Sequence, residues 1–107
     1  QELIRLTFDP TPSIRLDVVQ AMGRSGQTRF IEPLIRLAWT ERHPNVRQAA
    51  VTSLEQLVPA EEHPAQLQSR QPRNLEQTIE FWSRWWEDRR ASETLGERAA
   101  SRPVTRR

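Results

Sequence analysis

Apolar residues recur at helical intervals along most of the chain. They fall at Leu3, Ile4 and Leu6, at Ile14, Val18, Ala21 and Met22, and at Phe30, Ile31, Leu34, Ile35, Leu37 and Ala38. Val46, Ala49, Ala50, Leu54 and Leu57 follow, and after a polar gap Leu75, Ile79, Trp82 and Trp86. Spacings of three and four residues place such positions on one face of a helix, so the pattern predicts an all-α fold of five helices. On a helical wheel the third group covers roughly half the circumference, wider than the ~100° stripe of an ordinary surface helix. A helix apolar over so wide an arc must be covered from two sides.

The punctuation between these groups is made of prolines, glycines and capping residues. Asp9-Pro10-Thr11-Pro12 stops the first helix, and Thr11 and Pro12 suit the cap and first position of the second. Gly23-Arg24-Ser25-Gly26 ends the second helix, with Gly23 suited to a left-handed terminal position. The third begins near Thr28 to Phe30 with Pro33 in its first turn, Thr40 to His43 form a turn, and Pro44 opens the fourth, which ends near Val58-Pro59. Asn74 and Gln77 have the spacing of a reciprocal cap at the start of the fifth.

The first four groups are copies of one another. Glu2-Leu3-Ile4-Arg5-Leu6-Thr7-Phe8 returns as Pro33-Leu34-Ile35-Arg36-Leu37-Ala38-Trp39, an offset of 31 residues, and Pro12-Ser13-Ile14-Arg15 returns as Pro44-Asn45-Val46-Arg47, an offset of 32. Periods of about 20 to 50 residues mark stacked units, each too small to bury its own apolar face. Residues 1–58 therefore read as about two helical repeats with the first truncated, 59–73 as an extended, proline-containing linker, 74–91 as a tryptophan-rich capping helix, and 92–107 as a flexible basic tail. The chain begins with Gln1, and is expected to be the end of a longer array cut through a repeat.

The run from Ser13 to Ile35, with its Ile14-Arg15 pair, Ala21-Met22-Gly23 ending, Ser25-Gly26 turn and Ile31-Glu32-Pro33-Leu34 opening, resembles the HEAT-like repeat of phycobilisome-lyase type. Pro44 to Leu54 is similar to the first helix of that repeat. The chain departs from the pattern at Gln27, where the family often has an aspartate, at Phe30, where it has a small residue, and after Leu57, where a second helix is missing. The resemblance implies an α-solenoid of antiparallel helix pairs, here closed by the tryptophan-rich helix, and a binding role instead of a reaction. Residues for thioether chemistry of the bilin-lyase kind have no counterpart here.

Composition narrows the picture further. Apolar residues make up 36% of the 107 positions and charged residues 28%, as suits a core spread along a stack. No apolar run approaches the roughly 18 residues that cross a bilayer, and nothing in the sequence assigns a compartment. There is no cysteine, hence neither a disulfide nor a thiolate metal site. All 16 basic residues are arginine against 14 acidic ones, and the excess gathers late, at Arg89, Arg90, Arg98, Arg102, Arg106 and Arg107. Such a tail could attract nucleic acid or an anionic surface.

Catalytic and cofactor constellations are absent. Glu61-Glu62-His63 lacks the helical spacing of a metal site, His43 reads as a turn residue, and Ser25 sits in a Gly-Arg-Ser-Gly run without the preceding strand that a nucleophile elbow needs. Arg15 and Arg47 fall at equivalent places inside the apolar arcs of their helices. They read as structural links between repeats, stems packed and guanidinium groups bonded to carbonyls or to Asp9, Asp17 or Glu41. Arg5 with Phe8 and Arg36 with Trp39 are equivalent pairs one turn apart on the second helix of each unit, the concave side in HEAT-like stacks. Arginine beside an aromatic is a frequent binding-surface pair, and the sequence leaves open whether these contact a partner or only pack.

Trp82, Trp85 and Trp86 are likewise open between a terminal cap and docking into a partner's groove. Membrane-surface binding is disfavoured, because Glu76, Glu80, Glu87 and Asp88 occupy the polar face. The sequence reading is a non-catalytic protein-interaction scaffold without cofactor or metal. The alternatives are nucleic-acid binding in the manner of HEAT-like DNA glycosylases and, below that, a bilin-lyase-like chaperone subunit.

Overall fold

The computed structural model describes residues 2–68 and 73–101, with side chains up to Glu93. Five helices follow one another: α1 (Glu2–Leu6), α2 (Pro12–Arg24), α3 (Ile31–Thr40), α4 (Pro44–Leu57) and α5 (Leu75–Ser101). Short 3-10 turns occupy Thr28–Phe30, Ala60–Glu62 and Ala65–Gln68, and no strand occurs among the described residues. The all-α solenoid expected from the sequence is thus what the chain forms. α2 packs along α4, α3 along α4, and α5 lies mainly across α3 with a smaller contact on α4.

The wide apolar arc of α3 explains this layering. Ile31, Pro33, Leu34, Ile35, Leu37 and Ala38 are all buried, while Glu32, Arg36, Trp39 and Thr40 remain exposed. α4 covers one flank through Val46, Ala50, Val51, Leu54 and Leu57, and α5 covers another through Ile79 and Trp82. Trp82 is fully buried, with Trp85 edge-on to it at 5.2 Å between ring centroids. α5 has both α3 and α4 within reach. It lies more on α3, because that helix has the larger apolar surface left to cover.

Several local expectations needed correction. Gly23 does not end α2 in a left-handed conformation. The helix runs on to Arg24, and the glycine with positive φ is Gly26, at 71°. Gly23 is instead a point of close approach to α4: a Cβ there would lie 2.5 Å from Gln56 Oε1 and 2.6 Å from Ser53 Oγ. In that tight crossing the Ser53 hydroxyl donates to the Val19 carbonyl at 2.8 Å. Thr11 makes no side-chain cap; the Asp9 carboxylate accepts the Thr11 N–H at 2.8 Å instead, and Pro12 opens the helix as expected.

The stretch after α4 is not extended where it is described. Ala60–Glu62 and Ala65–Gln68 coil into two turns, Pro64 is buried, and His63 sits edge-on to Trp82 at 5.2 Å. The His63 Nε2 lies 2.8 Å from the Val58 carbonyl and 3.2 Å from that of Glu55, which pins the chain against the end of α4. Residues 69–72 of the expected linker lie outside the described residues.

Asn74 and Gln77 do form the reciprocal cap. The Gln77 N–H donates to Asn74 Oδ1 at 2.8 Å, and the Asn74 N–H to Gln77 Oε1 at 3.0 Å. α5 then continues ten residues past Ala91, the expected end, to Ser101. The expected flexible tail is therefore helical over 92–101, and 102–107 lie outside the described residues.

If α5 is an integral layer, Trp82→Ala should remove about 3–5 kcal/mol of unfolding free energy, the cost of emptying a large aromatic site in a packed interior. Urea unfolding followed by circular dichroism checks this; a loss below about 1 kcal/mol would mean that α5 does not close the stack.

Candidate partner-binding face

Arg15 and Arg47 each tie the first helix of a unit to the end of the helix before it. The last carbonyls of a helix have no partner within it. Arg47 Nε donates to one of these, the Ala38 carbonyl near the end of α3, at 3.0 Å. Arg15 reaches the Asp9 carbonyl, in the turn after α1, at 2.7 Å. Its Nε and Nη2 also donate to the two carboxylate oxygens of Glu41 at 2.7 and 2.9 Å. Of the three carboxylates named from the sequence, it is Glu41 that holds Arg15, and this side chain is only 2% exposed.

Glu41 also accepts the His43 N–H at 3.0 Å, so its charge is held by three donors. The Arg15 hydrogen bonds, aided by the His43 N–H and against the cost of burial, keep its carboxyl below the ordinary carboxylate range. The pairing raises the guanidinium of Arg15 in turn. The α3–α4 turn is thereby fastened to the α1–α2 turn of the preceding unit.

Between these two turns lies an open cleft of about 500 Å³. Phe8 and Pro10 line it from the α1–α2 turn, Pro33, Arg36 and Leu37 from α3, and Arg42 from the α3–α4 turn. Phe8 is 72% exposed, a large apolar surface left in water. The structure does not bring the arginine and aromatic of each unit together as a separate pair. Arg5 points to Glu2 at 3.4 Å, and Arg36 shares the cleft with Phe8 of the preceding unit. Trp39, 48% exposed, turns the other way and donates its indole N–H to the Ser83 hydroxyl of α5.

The other tryptophans divide by depth. Trp82 is inaccessible in the core, while Trp85 and Trp86 are half-buried, and Arg89 stacks on Trp85 at 5.2 Å. The indole N–H groups of Trp82 and Trp86 are buried without a hydrogen-bond partner among the described residues. Of the candidate contact residues, Phe8 and Arg36 share one accessible site; Arg5 lies outside it and Trp39 beside α5. Sequence reasoning passed over Arg42, Leu37 and Pro10 as part of that site. Their only signal was position, next to the two inter-unit turns.

A family model for HEAT repeats matches residues 1–69. The chain belongs to the HEAT-repeat family. The match covers α1 to α4 and the turns after them, leaves α5 outside, and does not distinguish the phycobilisome-lyase type. No curated protein and no solved structure matches the chain. HEAT repeats commonly serve as protein-interaction scaffolds and are typically non-enzymatic. Among the described residues no group of three or more histidine, aspartate or glutamate side chains is placed to hold a metal, and no helix is long and apolar enough to cross a membrane.

A carboxyl held low in the folded state adds stability that is present above its unfolded pKa and lost as pH falls through the folded one. Replacing Glu41 by Gln should therefore lower the urea midpoint most near neutral pH. The gap to the parent should narrow below about pH 4, where an ordinary glutamate protonates. Arg47→Ala removes a bond to a carbonyl, so its deficit of about 1–3 kcal/mol should be the same across that range. Parallel pH profiles for Glu41→Gln and the parent would rule out the depressed carboxyl.

Proposed function

We propose that this chain is a non-catalytic protein-binding segment of a HEAT-repeat scaffold, whose contact face is the cleft between the α1–α2 and α3–α4 turns. The observation that carries the reading is Phe8. It stands 72% exposed over a cleft shared with Arg36 of the next unit, while the apolar residues of α3 and Trp82 of α5 are buried. Exposed aromatic and arginine side chains around a concave, partly apolar site are the usual anchors of a protein interface.

In this reading Arg15 and Arg47 are structural links, and Trp82 belongs to a cap that ends the apolar stack. Capping elements with one apolar and one polar face are what repeat arrays need at their ends. Trp85 and Trp86 lie along the same cap and contribute its packing.

Nucleic-acid binding is the second reading, supported by the exposed arginines. Against it, Arg84, Arg89 and Arg90 are paired with Glu80, Glu62 and Glu93, and Glu32 respectively. The narrower kinship with phycobilisome-lyase repeats rests on the Ser13 to Ile35 run alone, and no feature of the cleft favours a tetrapyrrole over a peptide.

A photo-crosslinking residue at position 8 should give discrete protein adducts in cells, lost when Arg36→Glu is added, whereas the same group at Glu76, exposed on α5, should not. Equal adducts at both positions would remove the cleft from the account. Retardation of duplex DNA that weakens steeply with salt would move the reading to nucleic acid.

A further inference from the structure

The cleft carries a charge pattern that bears on what kind of segment enters it. This inference rests on the protein-binding reading. Four charged side chains besides Arg15 line the cleft: Asp9, Arg36, Glu41 and Arg42. Both oxygens of Glu41 are occupied by Arg15 and its side chain is 2% exposed, so it presents almost no negative charge to a ligand. Asp9 is turned to the backbone N–H of Thr11. Arg36 and Arg42 are exposed, and neither pairs with a carboxylate among the described residues. The salt link that fastens the two turns thus also leaves the cleft with two free guanidinium groups among its lining residues, beside the exposed ring of Phe8.

We infer that the cleft receives a short acidic segment of a partner protein, an aliphatic residue resting on the exposed ring of Phe8 and carboxylates reaching Arg36 and Arg42. Guanidinium groups suit carboxylates because the planar fork can donate two parallel hydrogen bonds. A single cleft of this size holds a few residues, so the affinity is on the order of micromolar and depends on salt. A nucleic-acid strand fits less well. It needs cations repeated along its backbone, whereas this cleft has two unpaired arginines and the carboxylate of Asp9 among its lining residues.

Selection of a random peptide library on the whole chain tests the inference directly, with an oligothymidine strand as a parallel probe. The expected result is enrichment of peptides with an acidic excess around an aliphatic residue. Their binding should fall about tenfold or more in Arg36→Glu and Arg42→Glu, both surface changes that should leave the melting curve alone. Enriched peptides without acidic excess that still crosslink through position 8 would overturn this inference and leave the protein-binding reading standing. Acidic peptides that bind both variants as well as the parent would overturn it too, since they would be seated elsewhere. Oligothymidine binding more tightly than any peptide, and lost in both variants, would assign the cleft to nucleic acid and defeat both readings.

Discussion

Helix α3 is apolar around more of its surface than one neighbour can cover, and the placing of the other elements follows from that. Six of its ten residues are buried, and α4 reaches only part of this face. Leaving the remainder in water would create a contiguous apolar patch beside the last repeat, a liability for any soluble repeat array. α5 removes it by laying Ile79 and Trp82 into the open flank. The polar face of α5, with Glu76, Glu80 and Arg84, then becomes the outer surface.

Covering α3 in this way determines which aromatic is left exposed. Trp39 is the repeat equivalent of Phe8, but it stands next to the incoming α5 and bonds Ser83. Phe8 has no such neighbour and faces the cleft between units. The same region owes its electrostatics to a structural need. Stacking α2 against the preceding turn puts Arg15 beside unpaired carbonyls, and Glu41 is recruited to balance a guanidinium that is only 15% exposed. The Glu41 carboxylate is taken up by Arg15, while Arg36 and Arg42 in the same lining have no carboxylate partner among the described residues.

Features set by neighbouring residues were legible in the sequence. The Asn74–Gln77 cap, Pro12 and Pro44 at helix starts, and the apolar arcs of α2 to α4 depend on contacts within a turn or two, so spacing alone reveals them. The two repeats were legible for the same reason, because Arg15 and Arg47 recur at the same place in Pro12-Ser13-Ile14-Arg15 and Pro44-Asn45-Val46-Arg47. What stayed hidden depends on contacts between distant residues. Gly23 reads as a helix terminator until Ser53 and Gln56 are seen against it. The stretch after Pro59 reads as extended because its turns are held by His63 against Trp82, a contact that no local pattern encodes. The candidate site was half legible: Phe8 and Arg36 stood out, but their sharing one cleft across units did not.

Ile79 and Trp82 packed into the core with α3 and α4 make α5 part of one cooperative unit with those helices, and the cleft beside Phe8 stays open. Native-state hydrogen exchange measures this residue by residue. Amides from Ile79 to Trp86 should share the protection of those from Ile35 to Ala38, and both sets should lose it together as urea rises. Amides of α5 that exchange freely while α3 stays protected would contradict it, for α3 would then be stable without its second cover.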